Sequence, residues 1–309
     1  MPLYLSEADV ESLLTPAEAF AAVEASFLRL AHGVVQNPDR VRLEIADGVF
    51  AAMPAADAEL GYAGLKTYAL TGSGTPFLVV LVAIDDTRIE AIIEAVGLSR
   101  LRTAAASAVA ATRLARPGAS TLGVIGSGHQ AAGHVAALRA AMPSLLRVLV
   151  YGRDPERLAR FCREHDCEAA ESSSEAGACD IVVTATTAQD PVLRGEWLQP
   201  GALVCGIGAN EPTWRELDNV VLERASFVCC DLRTQAQAES GDLIEPVARG
   251  VLDWLEVHEL HEVVAGEVQG RSSDDDIVVF KSNGLAAWDL AAAARVVELA
   301  RAAGIGREL

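Results

Sequence analysis

Two sets of residues in this 309-residue chain could do chemistry. The first is Gly126-Ser127-Gly128-His129-Gln130-Ala131, a GxGxxA turn that follows the apolar run 122–125. The first glycine permits a tight turn, the second lets the backbone approach a pyrophosphate, and the small last residue lets helix pack on strand. The helix that opens there offers free N–H groups and a positive dipole end to an anion. A Gly- and Ala-rich chain can produce this pattern by chance. Its position between a strand and a helix, at the head of a β-α series, is what points to a dinucleotide. The second set is cationic: Arg40, Lys66 within GLKTYAL and Arg102 within SRLRTAAASAVAA lie in or beside apolar segments. Buried cations need anionic partners. Three on one cleft would hold a carboxylate, arginine through its bidentate fork and lysine as a point charge or proton donor. Each could instead serve an internal ion pair or snorkel to solvent. Arg42 competes with Arg40, because strand alternation puts both on one face, and Arg100 competes with Arg102.

The second strand of the β-α series ends in Tyr151-Gly152-Arg153-Asp154-Pro155. An acid there would bind the ribose 2′-OH of NAD, but Gly152 occupies the position. Asp154 directly before proline reads as a helix N-cap followed by the first helical residue. That leaves Arg153 to pair with a 2′-phosphate, unless it is an ordinary solvated arginine. The expectation is NADP(H) in preference to NAD(H), with NAD(H) also usable.

These groups need a framework. Ser6, with Asp9 three residues on, caps a first short helix, and Thr15-Pro16 starts a second that ends near His32-Gly33. Between residues 40 and 95, RVRLEIA, VFAAM, LKTYALT, FLVVLVAI and IEAIIEA are β-like runs split by DG, GSGTP and DD turns. A long Ala-rich helix follows from 99 to about 116, stopped by Pro117-Gly118. Beyond it strands and helices alternate: LGVI, a helix near 130–141, RVLVYG, a helix from Asp154-Pro155, a short strand near 167–170, then DIVVTAT, ALVCGIG and SFVCCD. That pattern means a parallel sheet with right-handed crossovers, its buried strands apolar throughout. Residues 282–304 read as one amphipathic helix returning to the first domain, and Asp274–Asp276 as a solvated turn. The fold class is α/β: a Rossmann doubly wound parallel sheet (118–284) inserted into an α+β substrate-binding and dimerisation domain (1–117 plus 285–309).

Net charge of -18 argues against nucleic acid or an anionic membrane as partner. No 18-residue apolar stretch and no signal-like N-terminus is visible, so a cytoplasmic protein is expected. The six cysteines form no CxxC pair and no metal-ligand spacing, which reads as reduced thiols and no metal site.

The stretches PDR (38–40), MPA (53–55), GLK (64–66), RTAAASA (102–108), GSGHQA (126–131), GANEPTWRELD (208–218) and VFKSNGLAAWDL (279–290) resemble the ornithine cyclodeaminase/μ-crystallin family over essentially the whole chain. The resemblance implies a homodimer that acts on a small imino or amino acid and dimerises through the sheet of the first domain. It assigns Arg40, Lys66 and Arg102 to the substrate carboxylate, which chooses Arg40 over Arg42. It assigns Gly126, Ser127, Gly128, His129 and Gln130 to the pyrophosphate turn and Arg153 to ribose discrimination. Thr184 and Thr186 fall where the family's cofactor runs, and Phe280–Gly284, with Ser282 and Gly284, resembles the family's loop near the nicotinamide. Two departures stand out. Cyclodeaminases and several amino-acid dehydrogenases of the family carry Asp two residues before the proline of the 208–212 stretch; here it is Asn210, which cannot be a general base. Glu94-Ala95 replaces the family's common Asp-Gly.

Together these readings imply a reductase of cyclic or linear α-imino acids, of the ketimine or pyrroline-2-carboxylate type, giving an L-amino acid. The three cations would hold the carboxylate, Lys66 would supply the proton and Asn210 would hydrogen-bond the imine nitrogen. An alanine-type dehydrogenase or ornithine cyclodeaminase is the runner-up, which the missing Asp opposes. A non-catalytic ligand-binding protein is the third reading, opposed by the intact glycine turn and cations.

Overall fold

The structure, a computed structural model, describes residues 1–72 and 76–309; the expected GSGTP turn falls largely on 73–75, outside the described residues. The chain forms two compact units, Met1–Ala106 with Gly284–Leu309, and Ser107–Asn283.

The first unit begins with β1 (Leu3–Leu5), α1 (Glu7–Leu13) and α2 (Pro16–Ala31). Ser6 and Asp9 form a reciprocal capping box, and Thr15 caps the Glu18 N–H ahead of Pro16, as those residue types dictate. Then come β2 (Val35–Gln36), β3 (Val41–Ile45), β4 (Gly48–Asp57), β5 (Tyr62–Thr71), β6 (Phe77–Ala83), β7 (Ile89–Glu94) and α3 (Val96–Leu114). Strands β4 to β7 are an antiparallel meander; β3 and β2 pair with β4, and β1 joins β7 in parallel. Register fixes what the sheet buries. Met53 and Val79 lie opposite Lys66, and all three side chains are buried. Period-two alternation thus carries Lys66 to the covered face. The opposite face bears Val41, Leu43, Ile45, Phe50 and Leu78, all exposed.

Helix α3 starts at Val96, three residues earlier than its sequence suggests, because Glu7 supplies the missing cap. Its carboxylate accepts the backbone N–H groups of Val96 (3.0 Å) and Gly97. Glu94, one of the two departures, accepts the Tyr4 hydroxyl at 2.7 Å and the Glu7 N–H at 2.8 Å, holding α1 where Glu7 can do this.

The second unit contains β8 (Thr121–Ile125), α4 (His129–Ala141), β9 (Arg147–Tyr151), α5 (Pro155–His165), β10 (Glu168–Ala169), α6 (Ser173–Gly177), β11 (Ile181–Thr184), β12 (Leu203–Gly206), α7 (Asn219–Arg224), β13 (Ala225–Cys230), α8 (Arg233–Glu239), α9 (Gly241–Ala248), β14 (Val257–Glu259), α10 (Leu260–Val264) and β15 (Ile277–Lys281). They build an eight-stranded parallel sheet in the order β10-β9-β8-β11-β12-β15-β13-β14. The order reverses between β8 and β11, the switch point at which doubly wound sheets take ligands. Strand β15 was not legible in the sequence: IVVFK is short and follows a charged turn, yet it is buried in the sheet between β12 and β13.

The chain ends with α11 (Ala286–Ala303) and β16 (Arg307–Glu308), which pairs with β1. Two expectations for this segment need correction. The helix starts at 286 rather than 282, because Gly284 has a φ of +83° that no helix admits. It is also not amphipathic at its start: residues 286–293 are all buried. Within the first unit α11 packs on α2 and on β4, β5 and β6, and its alanines let those neighbours close around it.

Candidate active site

Within the first unit Lys66 and Arg102 meet at an acid the sequence reading did not single out, Asp289 on α11, and Arg40 is near enough for its charge to act on Lys66. Arg102 Nε donates to Asp289 Oδ1 at 2.8 Å, and Lys66 Nζ lies 3.5 Å from the same oxygen. Lys66 Nζ also donates to Ser99 Oγ at 2.6 Å. Ser99 and Arg102 are on α3, so the helix that Glu7 caps carries two members of the cluster. Arg40 Nη1 donates to the Tyr68 hydroxyl at 3.0 Å, and Nη2 lies 3.5 Å from the Gly284 carbonyl. Arg100, the competitor of Arg102, points elsewhere and lies 3.9 Å from Glu11. Lys66 and Arg102 are 3% and 4% exposed and Asp289 is fully buried. Burial first, then the Arg102 charge, pulls the Lys66 ammonium down to about 7, against the raising effect of Asp289. Arg102 and Lys66 share one oxygen of that single carboxylate. Such a cluster can hold a small carboxylate and pass a proton near neutral pH.

The glycine turn sits at the C-terminal end of β8. Gly126 has a φ of +123°, and a Cβ there would lie 2.4 Å from the Ala185 carbonyl oxygen, so only glycine fits. Gly126→Ala is therefore expected to lower the melting temperature by several degrees through strain of about 1–3 kcal/mol, read by calorimetry. Gly128 is the N-cap of α4 and, having no side chain, gives it no side-chain cap. Gln130 Oε1 is buried without a partner. His129, the first helical residue, is exposed. This cradle fits a pyrophosphate: a Cβ at Gly126 would block the turn, and the helix N-terminus that follows it offers backbone N–H groups and a positive dipole end.

At the end of β9, Asp154 caps α5 through the N–H groups of Glu156 (3.0 Å) and Arg157 (3.1 Å). Arg153 is exposed. A Cβ at Gly152 would meet Ser127 Oγ at 2.7 Å, so a larger residue at the position of a ribose-binding acid would have to turn that hydroxyl aside. Arg157, missed in the sequence, donates from Nε to the Ser127 carbonyl at 3.1 Å and lays a second guanidinium beside the turn. Its signal was available: three residues after an N-cap, on the first turn of the helix.

Thr184 and Thr186 are brought together by a buried acid from the 208–218 stretch. Glu216 accepts the hydroxyls of Thr184 (2.8 Å) and Thr186 (2.7 Å) and the N–H groups of Thr186 (2.7 Å) and Gly208 (2.6 Å). Asp242 accepts the N–H groups of Glu216 and Leu217 and lies 3.3 Å from Lys281 Nζ, which donates to the Ala209 carbonyl at 2.6 Å. Burial, with the Asp242 charge next, raises the Glu216 carboxyl above its ordinary range. The backbone on either side of Ala209 is thereby clamped, which fixes where the half-buried Asn210 stands. Phe280 and Lys281, expected in a loop, end strand β15. Ser282 Oγ donates to Asp231 at 3.2 Å, and Gly284 lies against the cation cluster, where a Cβ would meet Arg102 Nη1 at 2.7 Å. Among the described residues no group of three or more metal-ligating side chains forms, and no helix is long and apolar enough to cross a membrane.

The profile of the ornithine cyclodeaminase/mu-crystallin family matches residues 2–304. The chain belongs to that family. Alanine dehydrogenase of Archaeoglobus fulgidus is 35% identical over 99% of this chain and 98% of its own. Delta(1)-pyrroline-2-carboxylate reductase of Paracoccus denitrificans is 33% identical over 96% of this chain and 97% of its own. Among solved structures, Delta(1)-pyrroline-2-carboxylate reductase of Thermococcus litoralis in complex with NADH and L-proline superposes with a TM-score of 0.94 at 30% identity, over 99% of this chain and 100% of that one. An archaeal alanine dehydrogenase dimer with bound NAD gives 0.93 at 34% identity, over 100% and 98%. Of the two departures, Glu94 positions the cap of α3; nothing in the structure explains Asn210 in place of Asp.

Proposed function

We propose that this protein is an NAD(P)H-dependent reductase of α-imino acids, of the ketimine, pyrroline-2-carboxylate or piperideine-2-carboxylate type. The chain is an NAD(P)-dependent oxidoreductase acting on CH–NH and C=N bonds, in keeping with the family's reductases. The observation that carries the finer reading is the buried cation cluster with one internal acid. Arg102 and Arg40 take the substrate carboxylate through their guanidinium forks. Lys66 holds a proton at Nζ near neutral pH and gives it to the imine nitrogen, an arrangement matched to general acid work. Bound NAD(P)H supplies the hydride. Asn210 offers an amide in place of a base, sufficient for an iminium that is already electrophilic. A panel of cyclic and linear imino acids with NADPH and NADH tests the reading; oxidation of neither cofactor with any of them overturns it.

The dehydrogenase reading keeps one supporting observation. A lysine depressed to about 7 can take a proton as well as give one. Turnover of alanine with NAD faster than any imine reduction would favour it.

Exposed Arg153, the adjacent Arg157 and the absent acid at 152 support NADPH over NADH. Arg153→Ser is expected to raise the KM for NADPH about tenfold, the value of one charge-assisted contact, and to leave that for NADH unchanged. An equal change for both would refute the discrimination. The exposed apolar face of β3, β4 and β6 supports a homodimer joined there, and the unpaired thiols support a cytoplasmic setting.

A further inference from the structure

We propose that Asp289 is a positioning residue of this site, the internal counter-ion that aims the Arg102 fork and keeps a proton available on Lys66. The inference rests on the carboxylate-binding reading above and extends it to a residue on the last helix. Asp289 Oδ1 takes the Arg102 Nε at 2.8 Å and faces Lys66 Nζ at 3.5 Å, so one oxygen holds two bases. Its other oxygen is buried without a partner. A fully buried carboxylate is costly to keep unless charges around it compensate; here the compensation comes from the bases that bind substrate.

Nε is the inner edge of a guanidinium. Its occupation by Asp289 orients the fork and directs the two Nη groups away from the acid. One of them lies against Gly284. Lys66 is faced by Arg40 ahead of β3, the Tyr68 ring on its own strand at 5.7 Å, the Phe77 ring of β6 at 4.8 Å, Ser99 and Arg102 on α3, and Asp289 on α11. Of these only Asp289 is an anion. Two arginines and burial act to strip the proton from Lys66, and Asp289 opposes them.

Asp289→Asn keeps the shape and removes the charge; Asp289→Ser, small enough to admit water, carries the same test should the amide disturb folding. The first measurement is the pH profile of kcat/KM for imine reduction from about pH 5 to about pH 9. The basic limb is expected to move down by about one pH unit, with kcat at neutral pH falling about fivefold as the protonated fraction of Lys66 drops, and KM unchanged or lower, since an anion has left the cluster. Asp289→Glu, which restores the charge, is expected to return the limb toward the native position. The second measurement is calorimetric binding of pyrrole-2-carboxylate, a planar carboxylate with no reducible C=N. Its affinity in the native protein weakens as Lys66 loses its proton, and in the neutral variants that break moves to lower pH. A limb and a binding break that stay in place while KM rises and the melting temperature drops would reduce Asp289 to a structural residue and overturn the proposal. Absence of imine reduction in the native protein would instead overturn the functional reading, and the binding break would still decide the role of Asp289.

Discussion

A Lys66→Met enzyme is expected to lose two to four orders of magnitude in kcat for imine reduction, the usual worth of a positioned general acid, while KM for the imino acid changes far less. The arginines still take the carboxylate; the proton has lost its source. Single-turnover measurement with saturating substrate checks this, and retention of full kcat would remove Lys66 from the mechanism. The same variant carries a stability signature whose sign follows from linkage. Lys66 titrates near 7 when folded and near 10.5 when free, so the unfolded chain binds more protons between those values and stability rises with pH across that window. Below 7 the full cost of burying the charged amine is present, on the order of 5 kcal/mol. Lys66→Met is therefore expected to melt above the native protein at pH 6, with the gap closing toward pH 10. A gap that widens with pH would mean the amine is not the destabilised group.

Arg102→Leu is expected to cut kcat/KM by about 30-fold to several thousand-fold, mostly through KM, because a buried charge-assisted contact to the substrate is worth about 2–5 kcal/mol. Arg102→Lys would not restore it: an ammonium cannot engage Asp289 and a carboxylate in one plane. The single variant should also lose stability, since Asp289 is left buried with Lys66 alone, and breaking a buried pair costs about 3–5 kcal/mol. Changing Asp289 to Leu in the same chain is expected to recover much of that stability and none of the activity. If the double variant is no more stable than the single, the pair is not coupled as the 2.8 Å contact implies.

The sequence carried the parts of this site whose physics is local. GxGxxA at the end of a strand is a backbone requirement, and the Gly126 conformation shows why. Asp154 before proline was legible as a cap for the same reason. Lys66 stood out because a cation in an alternating apolar strand must face something. What could not be read were partners far along the chain. Asp289 looks like one acid in an alanine-rich helix until α11 is folded over β5, 187 residues from Arg102. Glu216 and Asp242 were hidden likewise; their burial depends on strand ends meeting, not on neighbours in sequence. Strand β15 failed for want of length, since four apolar residues and a lysine carry no period that separates strand from helix.

The first unit is written in two pieces, with its final helix after the whole parallel sheet. Trp288 packs on Phe27 with ring centroids 5.1 Å apart, Arg295 reaches Glu18, and β16 closes on β1. On the ribosome, then, residues 1–106 must wait with an open core until residues 284–309 have been made behind the whole parallel sheet. The nucleotide-fold segment has all of its strands by residue 281 and can settle while its host is still unfinished. The unfinished first unit is thus open to aggregation and to chaperones for as long as the second is being made.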